Sequence, residues 1–305
     1  MKNIIIILLV IIVIGLGLYF LIPNSPDNVD VYENQNDITD LNKPQNNNAD
    51  TNEPMKVSDN SPVIGKSAEG RDITAYTYGD GDTEILFVGG IHGGYEWNTV
   101  ILAQEAMDYF ETNPNAIPSN IKVTVIPVLN PDGLNKVVGS PDNFYLQDVP
   151  DNEADTIPGR FNANEVDLNR NFDCEWQATG TWQSKTVSGG SEAFSEPESQ
   201  AIKNYIETKK PQAVVVWYSA AGGVYSSSCH NGILSETKDL TNAYAKASSY
   251  KSYEEFDSYE ITGDMVNWLA KENIPAISVL LATHNKSEWS ENKAGIDSVL
   301  KYYKE

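Results

Sequence analysis

The chain has 305 residues, a formal net charge of −22 and a hydrophobic content of 40%. This length accommodates one large domain with additional segments. The negative charge would repel the phosphates of DNA and RNA, so it argues against a nucleic-acid partner. Solubility is the simplest role for the excess of carboxylates.

An uncharged apolar segment occupies residues 4–22 near the N-terminus. A bilayer span takes about 20 apolar residues, whereas the apolar part of a cleavable signal peptide takes roughly 7–15. No small-residue cleavage site follows, so we predict an uncleaved transmembrane signal anchor over residues 1–22, with a removed signal peptide as the alternative. Lys2 precedes the segment and acidic residues dominate beyond it. The positive-inside bias therefore predicts a membrane-anchored protein whose body is extracytoplasmic.

The next segment, residues 23–60, contains ten Asn and eight Asp or Glu, with almost no large apolar side chains. Such a composition buries too little surface to offset its ordering entropy, which predicts a disordered linker. Two cysteines, Cys174 and Cys229, lie in the remaining chain. They would pair in an oxidising compartment, but two unpaired buried thiols are an equally open alternative.

From residue 61 onward, short apolar runs alternate with amphipathic segments. Strands are predicted at 84–88, 121–128, 213–217 and 276–281. Helices are predicted at 98–110, 195–208, 264–272 and 287–303, the second opened by a capping box at Ser195. This alternation predicts a single α/β domain over residues 61–305, with a mixed, largely parallel sheet covered by helices.

Four polar side chains each follow an apolar, strand-like run: His92, Asn130, Tyr218 and His284. Ligands of open α/β sheets bind at the carboxyl ends of the strands. We therefore expect these four side chains to belong to one site.

Several segments, in order and spacing, resemble the zinc carboxypeptidase family, the carboxypeptidase A-like group. They are residues 64–71 (Ile-Gly-Lys-Ser-Ala-Glu-Gly-Arg), 92–96 (His-Gly-Gly-Tyr-Glu), 130–133 (Asn-Pro-Asp-Gly), 166–172 (Val-Asp-Leu-Asn-Arg-Asn-Phe), and Tyr259 with Gly263 and Trp268. The resemblance extends over about residues 61–305. It implies a zinc cofactor, metallopeptidase activity and peptide or protein C-termini as binding partners.

The resemblance implies that His92 and Glu96 are metal ligands. The family's usual spacing is His-x-x-Glu, and here one extra residue intervenes, which Gly93 and Gly94 could absorb because glycine accepts unusual backbone conformations. A catalytic zinc takes three protein ligands and an open position for water. The alternative is an ordinary turn histidine beside an exposed glutamate.

By the same resemblance, five residues recognise the substrate or stabilise its reacting carbonyl. Asn169 and Arg170 would hold the terminal carboxylate of a peptide, for which a planar guanidinium is suited. Arg160 would polarise the scissile carbonyl and stabilise its oxyanion. Tyr259 would close over the bound residue, and Val266 would favour an uncharged or apolar C-terminal side chain. Surface ion pairs for the arginines and simple packing for Tyr259 are the alternatives.

Two positions depart from the family pattern. Tyr218 stands where the third ligand, a histidine, is expected, and a phenol with a pKa near 10 is a poor zinc ligand. Leu280 stands in place of the general-base glutamate, and leucine cannot move protons. His230 or His284 could replace the missing ligand, and Glu288 the base.

Three functions remain open on the sequence. The first is a membrane-anchored domain that binds peptide C-termini with impaired or lost turnover. The second is an active zinc peptidase with a non-standard third ligand, and the third is a non-catalytic adaptor or structural domain. Two arginines retained in a vestigial pocket would be buried cations without a purpose, which argues against the third.

Overall fold

A seven-stranded mixed sheet is the centre of the protein in the computed structural model, which describes residues 62–141 and 144–304. The strands are β1 (Val63–Lys66), β2 (Asp72–Thr74), β3 (Tyr76–Tyr78), β4 (Thr83–Val88), β5 (Ile121–Ile126), β6 (Thr179–Trp182), β7 (Lys185–Ser188), β8 (Ala213–Ser219), β9 (Gly223–Ser226), β10 (Lys251–Tyr253) and β11 (Ala276–Leu281). The helices are α1 (Trp97–Thr112), α2 (Pro131–Val138), α3 (Pro197–Lys209), α4 (Ser235–Ser248), α5 (Met265–Lys271) and α6 (Trp289–Tyr302).

The large sheet has the strand order β10-β9-β11-β8-β4-β5-β3, and β1–β2 and β6–β7 form separate two-stranded ribbons. Neighbours pair in parallel from β11 through β8 and β4 to β5, and β10 pairs in parallel with β9. β9 is antiparallel to β11, and β3 is antiparallel to β5. The α/β fold with a mixed sheet and covering helices is therefore confirmed.

Helices bury both faces of this sheet, because successive side chains of a strand point to opposite sides. In β8, Val215 and Trp217 pack with α1, α4 and α6, whereas Val214, Val216 and Tyr218 pack with α3 and α5. Near the carboxyl end of β8, the Tyr218 side chain lies on the face of the sheet that α3 and α5 cover. Strand alternation thus decides which side of the sheet holds the site.

The boundaries differ from the sequence prediction where a local group interrupts the pattern. The strand predicted over 121–128 ends at Ile126 because Pro127 has no N–H for the ladder. The predicted capping box is wrong: the helix begins at Pro197 after Glu196, and the Ser195 hydroxyl donates to the Glu196 carboxylate at 2.8 Å. Helix α4 is absent from the sequence prediction because most of its residues are polar, and few large apolar side chains mark its buried face.

The predicted anchor and linker, residues 1–60, lie outside the described residues. In the described part of the chain, no helix combines the length and the apolar character that a membrane crossing needs. All described residues belong to one compact unit.

Candidate functional site

A cavity of about 500 Å³ opens at the carboxyl ends of β4, β8 and β11. The nine residues that the family resemblance assigns to the site line it: His92, Glu96, Arg160, Asn169, Arg170, Tyr218, Tyr259, Val266 and Leu280. Asn130 does not belong to this lining; it is buried as the N-cap of α2, where its side chain accepts from Gly133 N. Of the four side chains expected to share one site, His92 and Tyr218 line the cavity, whereas Asn130 and His284 do not belong to its described lining.

A short 3₁₀ turn (Gly93–Glu96) brings His92 and Glu96 together at the end of β4. Gly93 has a φ of 44°, and a Cβ there would lie 2.7 Å from the Gly159 carbonyl oxygen. Only glycine fits this close approach, so the extra residue between the two side chains is accommodated as predicted. His92 Nδ1 lies 3.0 Å from Glu96 Oε1, and both side chains are almost fully buried.

Each ring nitrogen of His92 faces a carboxylate oxygen without forming a well-oriented hydrogen bond, and Oε2 of Glu96 is buried without a hydrogen-bond partner. Buried polar atoms normally have hydrogen-bond partners. The incompletely satisfied lone pairs of His92 and Glu96 are therefore available to a cation. An imidazole and a carboxylate are both zinc ligands. His92 and Glu96 are therefore two adjacent side chains of the types that ligate a catalytic zinc.

The third position does not fit a zinc. Burial raises the pKa of Tyr218 well above 10, so its hydroxyl stays protonated. That hydroxyl donates to Asn169 Oδ1 at 3.3 Å. Among the described residues, no group of three or more His, Cys, Asp or Glu side chains is arranged to hold a metal ion.

The three residues considered as replacements are engaged elsewhere. His230 lies at the cavity surface, 68% exposed, with Nδ1 3.5 Å from Glu175 Oε1. His284 Nδ1 lies 3.1 Å from the Ser219 hydroxyl, and the described lining of the cavity does not include it. The Glu288 carboxylate accepts from the backbone N–H groups of residues 282 and 283, at 3.0 and 3.1 Å, which fixes the loop rather than presenting a base.

Asp167 is a functional residue that sequence reasoning missed, although it lies in the Asp-x-Asn-Arg motif. Its Oδ2 accepts from Arg160 Nε at 2.9 Å and lies 2.8 Å from a terminal nitrogen of the same guanidinium. Its Oδ1 lies 3.4 Å from His92 Nε2. Burial alone would raise the pKa of Asp167, but Arg160 and His92 outweigh it and hold the pKa well below its usual value. A buried carboxylate thus joins His92, the candidate metal ligand, to Arg160, the candidate for stabilising an oxyanion.

The Asn169 side chain makes hydrogen bonds to three groups. Its Nδ2 donates to Asp264 Oδ2 at 2.8 Å, and its Oδ1 accepts from Met265 N at 3.0 Å as well as from Tyr218. Asp264 is also the N-cap of α5, where it accepts from Asn267 N at 2.9 Å, and burial raises its pKa. Asn169 therefore fixes the start of α5, and its described hydrogen bonds leave the second N–H of Nδ2 for a ligand.

Arg170 presents its guanidinium to the cavity from a short turn (Leu168–Arg170). Its described hydrogen bonds go to the carbonyl oxygens of Asn169 and Thr181, at 2.7 and 2.6 Å, and its Nε is buried without a partner. The guanidinium carbon lies 5.9 Å from the centre of the Tyr259 ring. A buried cation bonded to neutral groups, with a tyrosine beside it, can receive a carboxylate.

A disulfide between Cys174 and Cys229 forms part of the cavity wall, with a Cα–Cα distance of 6.2 Å. It resolves the alternative that the sequence left open. The bond ties the segment after Arg170 to the segment after β9, so it holds two sides of the cavity together. Val266, at the start of α5, lies buried on the same lining.

Comparisons with known proteins agree on one family. A zinc carboxypeptidase profile matches residues 57–296. Metallocarboxypeptidase A of Arthroderma otae is 28% identical over 236 residues, which are 67% of this chain and 53% of that protein. Gamma-D-glutamyl-L-diamino acid endopeptidase 1 of Lysinibacillus sphaericus is 24% identical over 216 residues, 64% of this chain and 54% of that protein.

The fold is also found in solved structures. The murein-tripeptide amidase of Escherichia coli O157 superposes with a TM-score of 0.56 at 20% identity, covering 80% of this chain and 93% of that one. This similarity shows a shared fold. The chain spans about half or less of the length of the curated relatives that it matches.

Proposed function

The chain belongs to the zinc carboxypeptidase family, and from that premise we propose that its cavity binds peptide C-termini without turning them over at ordinary rates. The observation that carries the proposal is that the Tyr218 hydroxyl donates a hydrogen bond to Asn169 instead of binding a metal ion. This phenol is protonated and hydrogen-bonded to Asn169, where the family places a metal-binding histidine. Leu280 occupies the general-base position on the neighbouring strand.

Arg170 supports the binding half of the proposal. A buried guanidinium is costly unless charged or strongly polar partners surround it. Here its described hydrogen bonds go to backbone carbonyls and one N–H has no partner. A carboxylate bound through the guanidinium would supply the missing negative charge, and Tyr259 stands where it could cover that ligand.

The loss of turnover follows from the two substitutions. The family implies a zinc cofactor, which would lower the pKa of a bound water and polarise a carbonyl. His92 and Glu96 alone should bind zinc weakly, because a stable catalytic site takes three protein ligands. A general base contributes about 10²–10⁴-fold, and Leu280 contributes nothing of this kind.

An active zinc peptidase with His230 or His284 as third ligand is the second candidate. His230 is the better placed of the two, since it lies on the cavity lining. It would have to leave Glu175 and swing inward. A purely structural or adaptor domain is the third candidate, and the buried Arg170 guanidinium and the Glu96 Oε2 atom without a partner argue against it.

We also propose that the domain is anchored to the membrane by residues 1–22 through the linker 23–60 and lies on the extracytoplasmic side. The apolar segment supports the anchor. The Cys174–Cys229 disulfide supports the location, because such bonds persist in oxidising compartments. Membrane fractionation of the full chain, compared with a variant lacking residues 1–60, tests the anchor, and protease digestion of intact cells tests the location of the domain.

The binding proposal is tested on the full chain in uncharged detergent micelles. Peptides with a free C-terminal phenylalanine should bind, and the same peptides with a C-terminal amide should bind at least tenfold more weakly, since a charged hydrogen-bonded pair is lost. Metal content and release of the terminal amino acid are measured on the same sample. Stoichiometric zinc together with rapid release would overturn the proposal and favour the second candidate. Equal binding of acid and amide, without release, would favour the third.

A further inference from the structure

In the described lining of the cavity, both arginines lie at the buried end, together with the carboxylates of Glu96 and Asp264, whereas further carboxylates lie at the opening. Arg170 lies at the buried end, and Arg160 is neutralised there by Asp167. At the opening, three exposed carboxylates belong to the lining: Glu255, Asp257 and Glu260. The described residues that line the cavity include no lysine.

These three carboxylates form no ion pair with another described side chain, whereas the neighbouring Glu254 pairs with Lys238 at 3.1 Å and does not belong to the described lining. The same segment therefore contains both engaged and available acids. The three carboxylates on the cavity side are the ones that can pair with a cationic ligand.

An aromatic surface lies beside the same carboxylates. The rings of Tyr259 and Phe256 have centroids 4.9 Å apart, Phe256 and Tyr225 are 5.5 Å apart, and Tyr225 stacks on Tyr253 at 4.7 Å. Tyr259 in turn lies next to Arg170. The aromatic row therefore runs from the carboxylate-binding end to the acidic opening. Ring faces attract cations, and their flat surfaces pack against the aliphatic stems of lysine and arginine.

A second observation shows that this cavity is built for a ligand. The buried lining contains polar atoms that are incompletely satisfied, namely the ring nitrogens of His92, which form no well-oriented hydrogen bond, and Oε2 of Glu96, which has no hydrogen-bond partner. These atoms can bind a polar occupant irrespective of the charges at the opening. The acidic opening then favours positively charged side chains on the part of the ligand that lies at the opening.

We propose that the preferred ligands are peptides with Lys or Arg in the one or two positions immediately before an uncharged C-terminal residue. This inference rests on the proposed function, because it takes the terminal carboxylate to lie at Arg170. The terminal side chain then lies against Val266, and the chain runs back toward the opening. The preceding side chains pass along the aromatic row and reach Glu255, Asp257 and Glu260.

The expected preference is moderate. Exposed ion pairs and exposed cation–π contacts each contribute little, so two cationic residues should improve affinity by about tenfold over neutral ones. The net charge of −22 adds a general attraction that salt screens. A local preference must therefore be separated from this overall field.

The test measures fluorescence anisotropy of labelled peptides on the full chain in uncharged micelles. Peptides ending in Lys-Lys-Phe, Gln-Gln-Phe and Glu-Glu-Phe are compared, each as free acid and as amide. The expected affinity order of the acids is Lys, then Gln, then Glu. The triple variant Glu255→Gln, Asp257→Asn, Glu260→Gln should lose most of the Lys preference while still binding the Gln-Gln-Phe acid.

A matched variant carries the same change in net charge away from the cavity: Asp239→Asn, Glu254→Gln, Glu291→Gln. It should retain the preference. Equal affinity of the Lys and Gln acids for the unmodified chain, or equal loss in the two triple variants, would overturn this inference while leaving carboxylate binding intact. Equal affinity of acids and amides would instead overturn the proposed function.

Discussion

Tyr218 and Leu280 are register partners on the adjacent parallel strands β8 and β11. The two departures from the family pattern therefore stand side by side on the same lining, and Leu280 packs against the cluster that contains Tyr218. A phenol and an isobutyl group together fill space that a metal ligand and a carboxylate would leave polar. On the proposed assignment of these two positions, the substitutions form one change, which can be reversed as one.

The double variant Tyr218→His, Leu280→Glu should bind zinc stoichiometrically and release C-terminal amino acids. The histidine adds a neutral imidazole, and the glutamate adds a base. Either single variant should do little, because a base needs an ordered water to act on. Zinc by mass spectrometry and amino-acid release from blocked peptides are the measurements. A folded double variant that binds zinc but stays inert would show that the substrate groups have diverged too.

The unmodified chain should retain less than one zinc per molecule after dialysis against a mild chelator. Two protein ligands hold the ion too weakly to resist exchange. His92→Ala should lower the residual zinc further, while His230→Ala and His284→Ala should leave it unchanged. Tight zinc that is lost only in His230→Ala or only in His284→Ala would identify that histidine as the third ligand.

Arg170→Lys should weaken binding of a free C-terminal peptide about tenfold, because an ammonium cannot make two parallel hydrogen bonds to a carboxylate. Arg71→Lys is the matched control, since Arg71 pairs with Asp132 outside the described cavity lining. Anisotropy titrations measure both, with thermal melts to verify folding. Equal losses in the two variants would contradict the role of Arg170.

Asp167→Asn should destabilise the fold by about 3–5 kcal/mol, because it leaves the buried Arg160 guanidinium without its counter-charge. Asp173→Asn removes the partner of Lys271 in an exposed pair and should change stability by less than about 1 kcal/mol. Urea denaturation compares the free energies of unfolding. Equal losses in the free energy of unfolding would mean that the buried Asp167–Arg160 pair stabilises the fold no more than the exposed Asp173–Lys271 pair does.

Removing the disulfide with Cys174→Ala, Cys229→Ala should lower stability by about 2–4 kcal/mol, since the bond closes a long loop. The sequence separation of the two cysteines is 55 residues. The unmodified protein in reducing buffer should show a similar loss in urea denaturation. An oxidised protein whose thiols remain titratable would contradict the bond.

Much of the fold could be predicted because its signals are local. The strand at 276–281 was placed correctly, and those at Ala213 and Thr83 nearly so, because runs of β-branched residues between turn residues allow few alternatives. Helix α4 was missed because its burial depends on packing against α6 and β9, which its own composition does not reveal.

The sequence by itself determined the family and the residues that surround the cavity, since motif spacing fixes the ends of strands and thus the edge where their side chains meet. Only the tertiary structure decided which groups these residues contact and how deeply they are buried. It placed the Tyr218 hydroxyl on Asn169, joined Asp167 to Arg160, and closed the Cys174–Cys229 bond. Each of these contacts joins groups from different segments, and its chemistry depends on distance and burial, neither of which is encoded in spacing along the chain.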